Sequence, residues 1–213
     1  MNLEKLKGKF ITFEGGEGVG KTTQSKLMVE YLKDNKLKAE WTREPGGCDA
    51  AEKIRNLLFS KDVEWDAMTE MLMMYAARRE HTEKKIKPAL NRGEIIVSDR
   101  YLDSTMAYQG YAENLDKKAI KLASKIVLGD FKPDLTIILD LDVNESLERT
   151  VIRGLENRFD EKELDFHKKI RKGFLEIAED NKNRIIVLNV SKKNIKEVQT
   201  DILNILIKKF DLF

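Results

Sequence analysis

The stretch "FEGGEGVGKTTQSK", residues 13 to 26, places four glycines ahead of a lysine and two threonines. Gly15, Gly20, Lys21 and Thr22 fill G-x-x-x-x-G-K-[ST], and they do so between the apolar run "KFITFE" (9 to 14) and a helical pattern carrying Leu27, Tyr31 and Leu32. A strand, a glycine loop and a helix in that order form a phosphate cradle. Glycines let successive backbone N–H groups converge on phosphate oxygens, the helix N-terminus adds its dipole, and Lys21 adds a compact positive charge. Thr22 offers a hydroxyl to Mg²⁺. The loop alone leaves open whether the terminal phosphate passes to water, drives a conformational switch or goes to a small acceptor.

Outward from the loop, short apolar runs alternate with longer helical segments, which predicts an α/β fold with a largely parallel sheet. The predicted strands are 9 to 14, "AEWTRE" (39 to 44), "EIIVSD" (94 to 99), "LTIILDL" (135 to 141) and "RIIVLN" (184 to 189). Helical spacing recurs at Ile54, Leu57 and Leu58, and at Ile195, Val198, Ile202 and Ile205. Pro88 predicts a kink or break near residue 87. The polar stretch 149 to 169, with Gly154 inside it, reads as a mobile flap.

With 213 residues, 41% of them hydrophobic, the chain is long enough for one well-buried domain, and no linker divides it. Lysine and arginine (39) nearly balance aspartate and glutamate (37), so the net charge of +2 gives no global basic field for nucleic acid. The "KK" pairs at 84, 117, 168, 192 and 208 are scattered, as on solvated helix faces. Cys48 has no partner within the chain, which suits a reducing cytoplasm. His81 and His167 are the only histidines, and no zinc-site spacing occurs. Neither a signal core nor a membrane span is found, so a cytoplasmic protein is expected.

A second cationic site follows from "SDRYLDSTMAYQG" (98 to 110), where Asp99 and Arg100 leave the carboxyl end of a strand, and from "TREPGG" (42 to 47), which ends another at the same edge. Arg43 and Arg100 are placed to face the glycine loop across one crevice, where a planar guanidinium can grip a phosphate. The bland alternative is that Asp99 and Arg100 merely pair with neighbours. In "YAARREH" (75 to 81), Arg78 and Arg79 point about 100° apart on a helix, so one can face the crevice and the other solvent.

Taken together, "FEGGEGVGKTTQ", "TREPGG", "YAARREH", "SDRYLDSTMAYQG" and "PDLTIILDLD" resemble the thymidylate kinase family in order and spacing over nearly the whole chain. That resemblance implies a single P-loop kinase domain over 1 to 213, a three-layer α/β/α sandwich with a five-stranded mostly parallel sheet, and a mobile LID at about 149 to 165. It implies transfer of the ATP γ-phosphate to dTMP, giving dTDP and ADP in dTTP biosynthesis, with Mg²⁺ and usually as a homodimer. Apolar helix faces at 54 to 76 are the expected dimer surface; no nucleic acid or membrane partner is expected.

The resemblance also implies roles. Gly15, Gly16, Glu17, Gly18, Val19, Gly20, Lys21, Thr22 and Thr23 would bind ATP, with Thr22 and Asp99 serving the magnesium. Arg100, helped by Arg43, would grip the dTMP phosphate. Pro45 would bind dTMP, Arg78 and Thr105 would contact the thymine with Gln109 on the same wall, Glu17 would read the sugar 3′-hydroxyl, and Tyr108 would crowd a ribose 2′-hydroxyl. Gly18 stands where one branch of the family carries its catalytic arginine, so that cation is expected from Arg149, Arg153 or Arg158. Met74 departs from the phenylalanine that relatives stack on thymine, although its polarizable sulfur can cover a ring. The competing readings are a kinase for another small acceptor and a nucleotide-switched ATPase; no N-K-x-D guanine motif occurs.

Overall fold

The computed structural model describes residues 2–60, 62–153 and 163–213, with residues 151–153 described by their backbone alone. Five strands, β1 (Phe10–Glu14), β2 (Ala39–Arg43), β3 (Ile95–Asp99), β4 (Leu135–Asp140) and β5 (Ile185–Asn189), form one sheet in the order β2-β3-β1-β4-β5. Every pairing is parallel. Each strand lies within a residue or so of the run predicted for it. These strands read as near-continuous apolar runs because helices cover both faces, as a parallel sheet requires: β1, β3 and β4 are buried at every position.

The helices are α1 (Lys21–Asp34), α2 (Asp49–Leu58), α3 (Ala67–His81), α4 (Lys87–Asn91), α5 (Leu102–Thr105), α6 (Lys117–Leu128), α7 (Val143–Arg153), α8 (Leu164–Glu179) and α9 (Ile195–Phe210). On one face, Met28 and Leu32 of α1 and Ile202 and Leu206 of α9 pack on Ile11 and Phe13. On the other, Ile86 and Ala89 meet Phe10 and Ile96, while Ile170 and Phe174 of α8 meet Ile138. Leu58 is buried as expected, but Leu57 is exposed because it lies one step off the buried stripe of α2, and Ile195 is exposed because it is the first residue of α9, ahead of the buried Val198, Ile202 and Leu206.

Two expectations need correction. The chain does not break near residue 87: α3 continues through a π-helical turn at Thr82–Ile86 into α4, which keeps Pro88 in its first turn. A wider turn ahead of the proline accommodates the ring and the missing N–H. Both ends of the stretch 149 to 169 are helical rather than flap, since α7 runs to Arg153 and α8 begins at Leu164. Phe166 is the first member of a helical stripe continued by Ile170, Phe174 and Ile177, all in one apolar cluster. The rest of that segment, including Arg158, lies outside the described residues, as does the Arg153 side chain.

Sheet order reverses about β1, with β3 added on one side and β4 on the other. Ligands of open α/β sheets bind at the carboxyl ends of strands beside such a switch point, and there the glycine loop leaves β1.

Candidate active site

The loop is held by contacts that only glycine permits at two positions. A Cβ on Gly15 would lie 2.5 Å from the Leu139 carbonyl oxygen, and one on Gly18 would lie 2.0 Å from that of Ser146 in α7. Both glycines have positive φ. An arginine at position 18 therefore has no room, which accords with a catalytic cation from elsewhere. Lys21 lies buried under the loop, donating to the Gly16 carbonyl at 2.5 Å. Burial pushes its ammonium down to about 8, Arg100 pushes the same way, and Glu17, Asp99 and Glu14 oppose them. Thr22 donates its hydroxyl to Asp99 Oδ2, so the two oxygen ligands expected for magnesium already touch. Val19 is buried beneath the loop, and Gly20 and Thr23 open the helix.

Arg100 links this loop to the acceptor side. Its Nη1 donates to the Gly15 carbonyl (3.0 Å) and to Ser104 Oγ (3.1 Å), and its Nη2 donates to Glu17 Oε1 (2.7 Å) and the Tyr108 hydroxyl (2.9 Å). Tyr108 in turn donates to Glu17 Oε1 at 2.7 Å. Burial opposes ionisation of Glu17, yet Arg100, Lys21 and the Tyr108 hydroxyl overcome it and hold the carboxyl at about 2. Arg100 itself adopts a left-handed φ of 69°. A side chain in that region carries strain of the kind found at ligand sites, and here the turn is over-determined. Glu14, the last residue of β1, accepts the Tyr101 N–H (2.8 Å), the Ser104 N–H (3.3 Å) and the Ser104 hydroxyl (2.6 Å). Burial and then the nearby Asp103 raise the Glu14 carboxyl to about 7.

A cavity of about 1010 Å³ opens beside these groups, walled by Glu17, Arg43, Pro45, Met74, Arg78, Asp99, Arg100, Tyr108 and Gln109. With Thr22, which also lines the cavity, ten expected site residues thus meet at one crevice. Arg78 is buried and Arg79 exposed, as their spacing on the helix allows. Thr105 stands behind Arg78, accepting its Nη1–H at 3.0 Å, and does not line the cavity. Arg43 is half-exposed and pairs with Glu52 at 3.3 Å. Gln109 donates to the buried Glu70 at 2.9 Å. Arg149 bonds Glu145 Oε1 along α7 at 2.6 Å, while Glu145 Oε2 accepts from Ser191, so α7 is tied to the segment after β5. Met71 belongs to a small core cluster rather than to the crevice.

Sequence reasoning missed Glu14, Glu44, Ser104 and Arg55, whose guanidinium donates to the Pro45 carbonyl at 2.7 Å. Phe59 and Trp65, also unforeseen, line the same cavity. Glu14 left one signal: a carboxylate closing an otherwise apolar strand just before a glycine loop.

A phosphate loop at a sheet switch point, facing a second guanidinium across a nucleotide-sized crevice, defines a P-loop nucleotide kinase. The family model "Thymidylate kinase" matches residues 13–202. The chain is 42% identical to thymidylate kinase of Orientia tsutsugamushi over 95% of its length and 94% of the relative, and 45% identical to that of Caulobacter vibrioides over 85% and 88%. A crystal structure of thymidylate kinase from Ehrlichia chaffeensis superposes with a TM-score of 0.77 at 38% identity, covering 94% of this chain and 98% of that one. This chain belongs to the thymidylate kinase family.

Proposed function

We infer that the protein transfers the γ-phosphate of ATP to dTMP, giving dTDP and ADP in dTTP biosynthesis. The observation that carries this reading is Arg100, half-buried between the glycine loop and the cavity, with one guanidinium bonded to Gly15 on the donor side and to Glu17 and Tyr108 on the acceptor side.

The acceptor is a phosphate monoester, with a second pKa of about 6, so it arrives ionised and needs no general base. The work is to align two anions and to neutralise charge spreading over the transferred group. Lys21 and the loop amides hold the donor. The acceptor phosphate competes with Glu17 for the Arg100 Nη2, and Glu17, released, accepts the sugar 3′-hydroxyl. Tyr108, kept protonated by burial, fills the space a 2′-hydroxyl would need. Arg78, Pro45, Met74 and Gln109 take the base end, with Arg43 at the cavity's open side.

Thr22 and Asp99 fit Mg²⁺: both offer hard oxygen atoms, and the ion characteristically uses one or two protein groups plus substrate phosphates. When bound, it supplies charge neutralisation to the donor phosphates. Closure of the LID then brings Arg149, Arg153 or Arg158 to the donor and excludes water.

No helix among the described residues is long and apolar enough to cross a membrane. Leu57, Met68 and Leu72, exposed on α2 and α3, support the homodimer that the family implies. The test of function is ADP release from Mg·ATP with dTMP, dUMP, dCMP, AMP, thymidine or no acceptor. Strong stimulation by dTMP is expected; release indifferent to every acceptor would sink the kinase reading.

A further inference from the structure

Arg78 is held more completely than a base-contacting residue requires for its own burial. Its Nε donates to Glu44 Oε2 at 2.6 Å, Nη1 to Thr105 Oγ1 at 3.0 Å and Nη2 to the Tyr101 carbonyl at 3.0 Å. The Tyr75 and Tyr101 rings flank the guanidinium, with centroids 5.1 and 5.4 Å from Cζ. Three of five N–H bonds are thereby committed, and the two that remain are both on the Nη nitrogens of a side chain that walls the cavity. The fork is fixed in plane and in rotation before any nucleotide arrives.

Glu44 is fixed in its turn. Its second oxygen, Oε1, lies 2.9 Å from His81 Nδ1, and His81 Nε2 lies 2.7 Å from Thr42 Oγ1. A carboxylate only accepts, so Nδ1 carries the proton and, in the neutral ring, Nε2 accepts from the Thr42 hydroxyl. Thr42, His81, Glu44 and Arg78 form one buried chain from β2 across α3 to the base end of the crevice. Gly47 leaves room for it: a Cβ there would lie 2.3 Å from His81 Nε2 and 2.6 Å from Thr42 Oγ1. Buried ion pairs of this kind are poor sources of net stability and are easily replaced by apolar side chains. Their value lies in placing a group within a fraction of an ångström of where it must act.

We propose that Glu44 and His81 are positioning residues, which hold the two free Arg78 N–H bonds against a carbonyl on the acceptor base and so select 4-oxo over 4-amino pyrimidines without touching the nucleotide. The proposal rests on the reading that Arg78 faces the base. A 4-amino group presents donors to those N–H bonds, leaving them unpaired on a buried side chain, which is the costly mismatch that makes polar recognition selective. A guanidinium free to swing aside would escape that mismatch.

The experiment compares Glu44→Gln, His81→Phe, His81→Asn and Arg78→Lys in full-length protein, with KM and kcat for dTMP and dCMP and KM for ATP. Glu44→Gln and His81→Phe are expected to raise KM for dTMP roughly 10- to 100-fold, the scale of a weakened charge-assisted hydrogen bond. The dTMP over dCMP preference should narrow while KM for ATP stays unchanged. His81→Asn, whose amide keeps a donor near the Nδ1 position, should restore most of the loss. The double variant Glu44→Gln/Arg78→Lys should be no worse than Arg78→Lys alone, since one residue acts through the other. If Arg78→Lys erases base preference but Glu44→Gln and His81→Phe keep it, the proposal is overturned and Arg78 remains the base reader. If Arg78→Lys itself keeps the preference, the underlying reading fails with it. A loss spread equally over ATP and dTMP parameters, or one His81→Asn does not repair, assigns the chain a structural role only and also overturns it.

Discussion

Replacing Gly18 by alanine tests how closely the phosphate loop and α7 are fitted, and Gly20→Ala is its control. Both glycines have positive φ, at 69° and 99°, so either alanine carries left-handed strain of about 1–2 kcal/mol. Only at Gly18 does the new methyl meet an obstacle, the Ser146 carbonyl oxygen at 2.0 Å with its carbon at 2.9 Å; at Gly20 nothing lies within 4 Å. That obstacle is main chain, so no rotamer relieves it, and α7 must shift by more than an ångström. Overpacking of this kind adds about 1–3 kcal/mol. Gly18→Ala should therefore cost about 2–5 kcal/mol against about 1–2 for Gly20→Ala. At roughly 2–4 °C per kcal/mol for a chain of this length, midpoint values give Tm losses of about 10 °C and about 5 °C. Scanning calorimetry on both variants without nucleotide measures this directly. Equal losses, or a smaller one for Gly18→Ala, would refute the packing of the loop on α7 and reopen position 18 to a side chain.

Lys21→Ala should lower turnover by on the order of 10² or more, as loss of one transition-state donor does; near-normal turnover would remove Lys21 from the mechanism. Because burial, with Arg100, holds Lys21 down to about 8, arriving phosphates should restore its charge. Titration calorimetry of ATP binding at pH 8–9, in buffers of different ionisation enthalpy, should show net proton uptake, and none at any pH would count against this. Glu14 is raised from 4.5 to about 7, so between those values the folded state binds more protons than the unfolded one and stability falls as pH rises. The shift is worth about 3 kcal/mol at 1.36 kcal/mol per unit. Glu17, lowered to about 2, has the opposite sign: its contribution is present above pH 4.5 and lost as pH falls through 2, outside this window. Urea unfolding of Glu14→Gln should therefore show a flatter stability profile from pH 4.5 to 7, and an unchanged slope would clear Glu14 of it. Replacing Arg149, Arg153 and Arg158 together should abolish most transfer; full activity would exclude the LID as the source of the cation.

The sequence carried the fold well because its strongest signals are local. A parallel strand buried on both faces must be apolar along its length, and the glycine loop fixes the order strand, loop, helix, so the five strands emerge within a residue or so. Pro88 misled because its local effect is real, while the π turn that absorbs it depends on packing against β1 and β3. The site divided along a different line. Motifs disclosed the cations, since phosphate chemistry restricts which residues can serve, but mostly not the carboxylates that hold them. Glu44 lies 34 positions from Arg78, and Asp103 lies 81 from Arg184; nothing in a lone Glu or Asp reveals that its partner folds over it. Yet the physics obliges such partners to exist. A guanidinium taken out of water without a carboxylate costs several kcal/mol, and Arg78, Arg100 and Arg184, all largely shielded, have each found one: Glu44, Glu17 and Asp103. Every arginine assigned to a crevice from sequence therefore implies an acid beside it. Glu17, Glu44 and Asp103 all lie inside motifs quoted from the sequence, yet a motif shows which residues are present and not which of them meet.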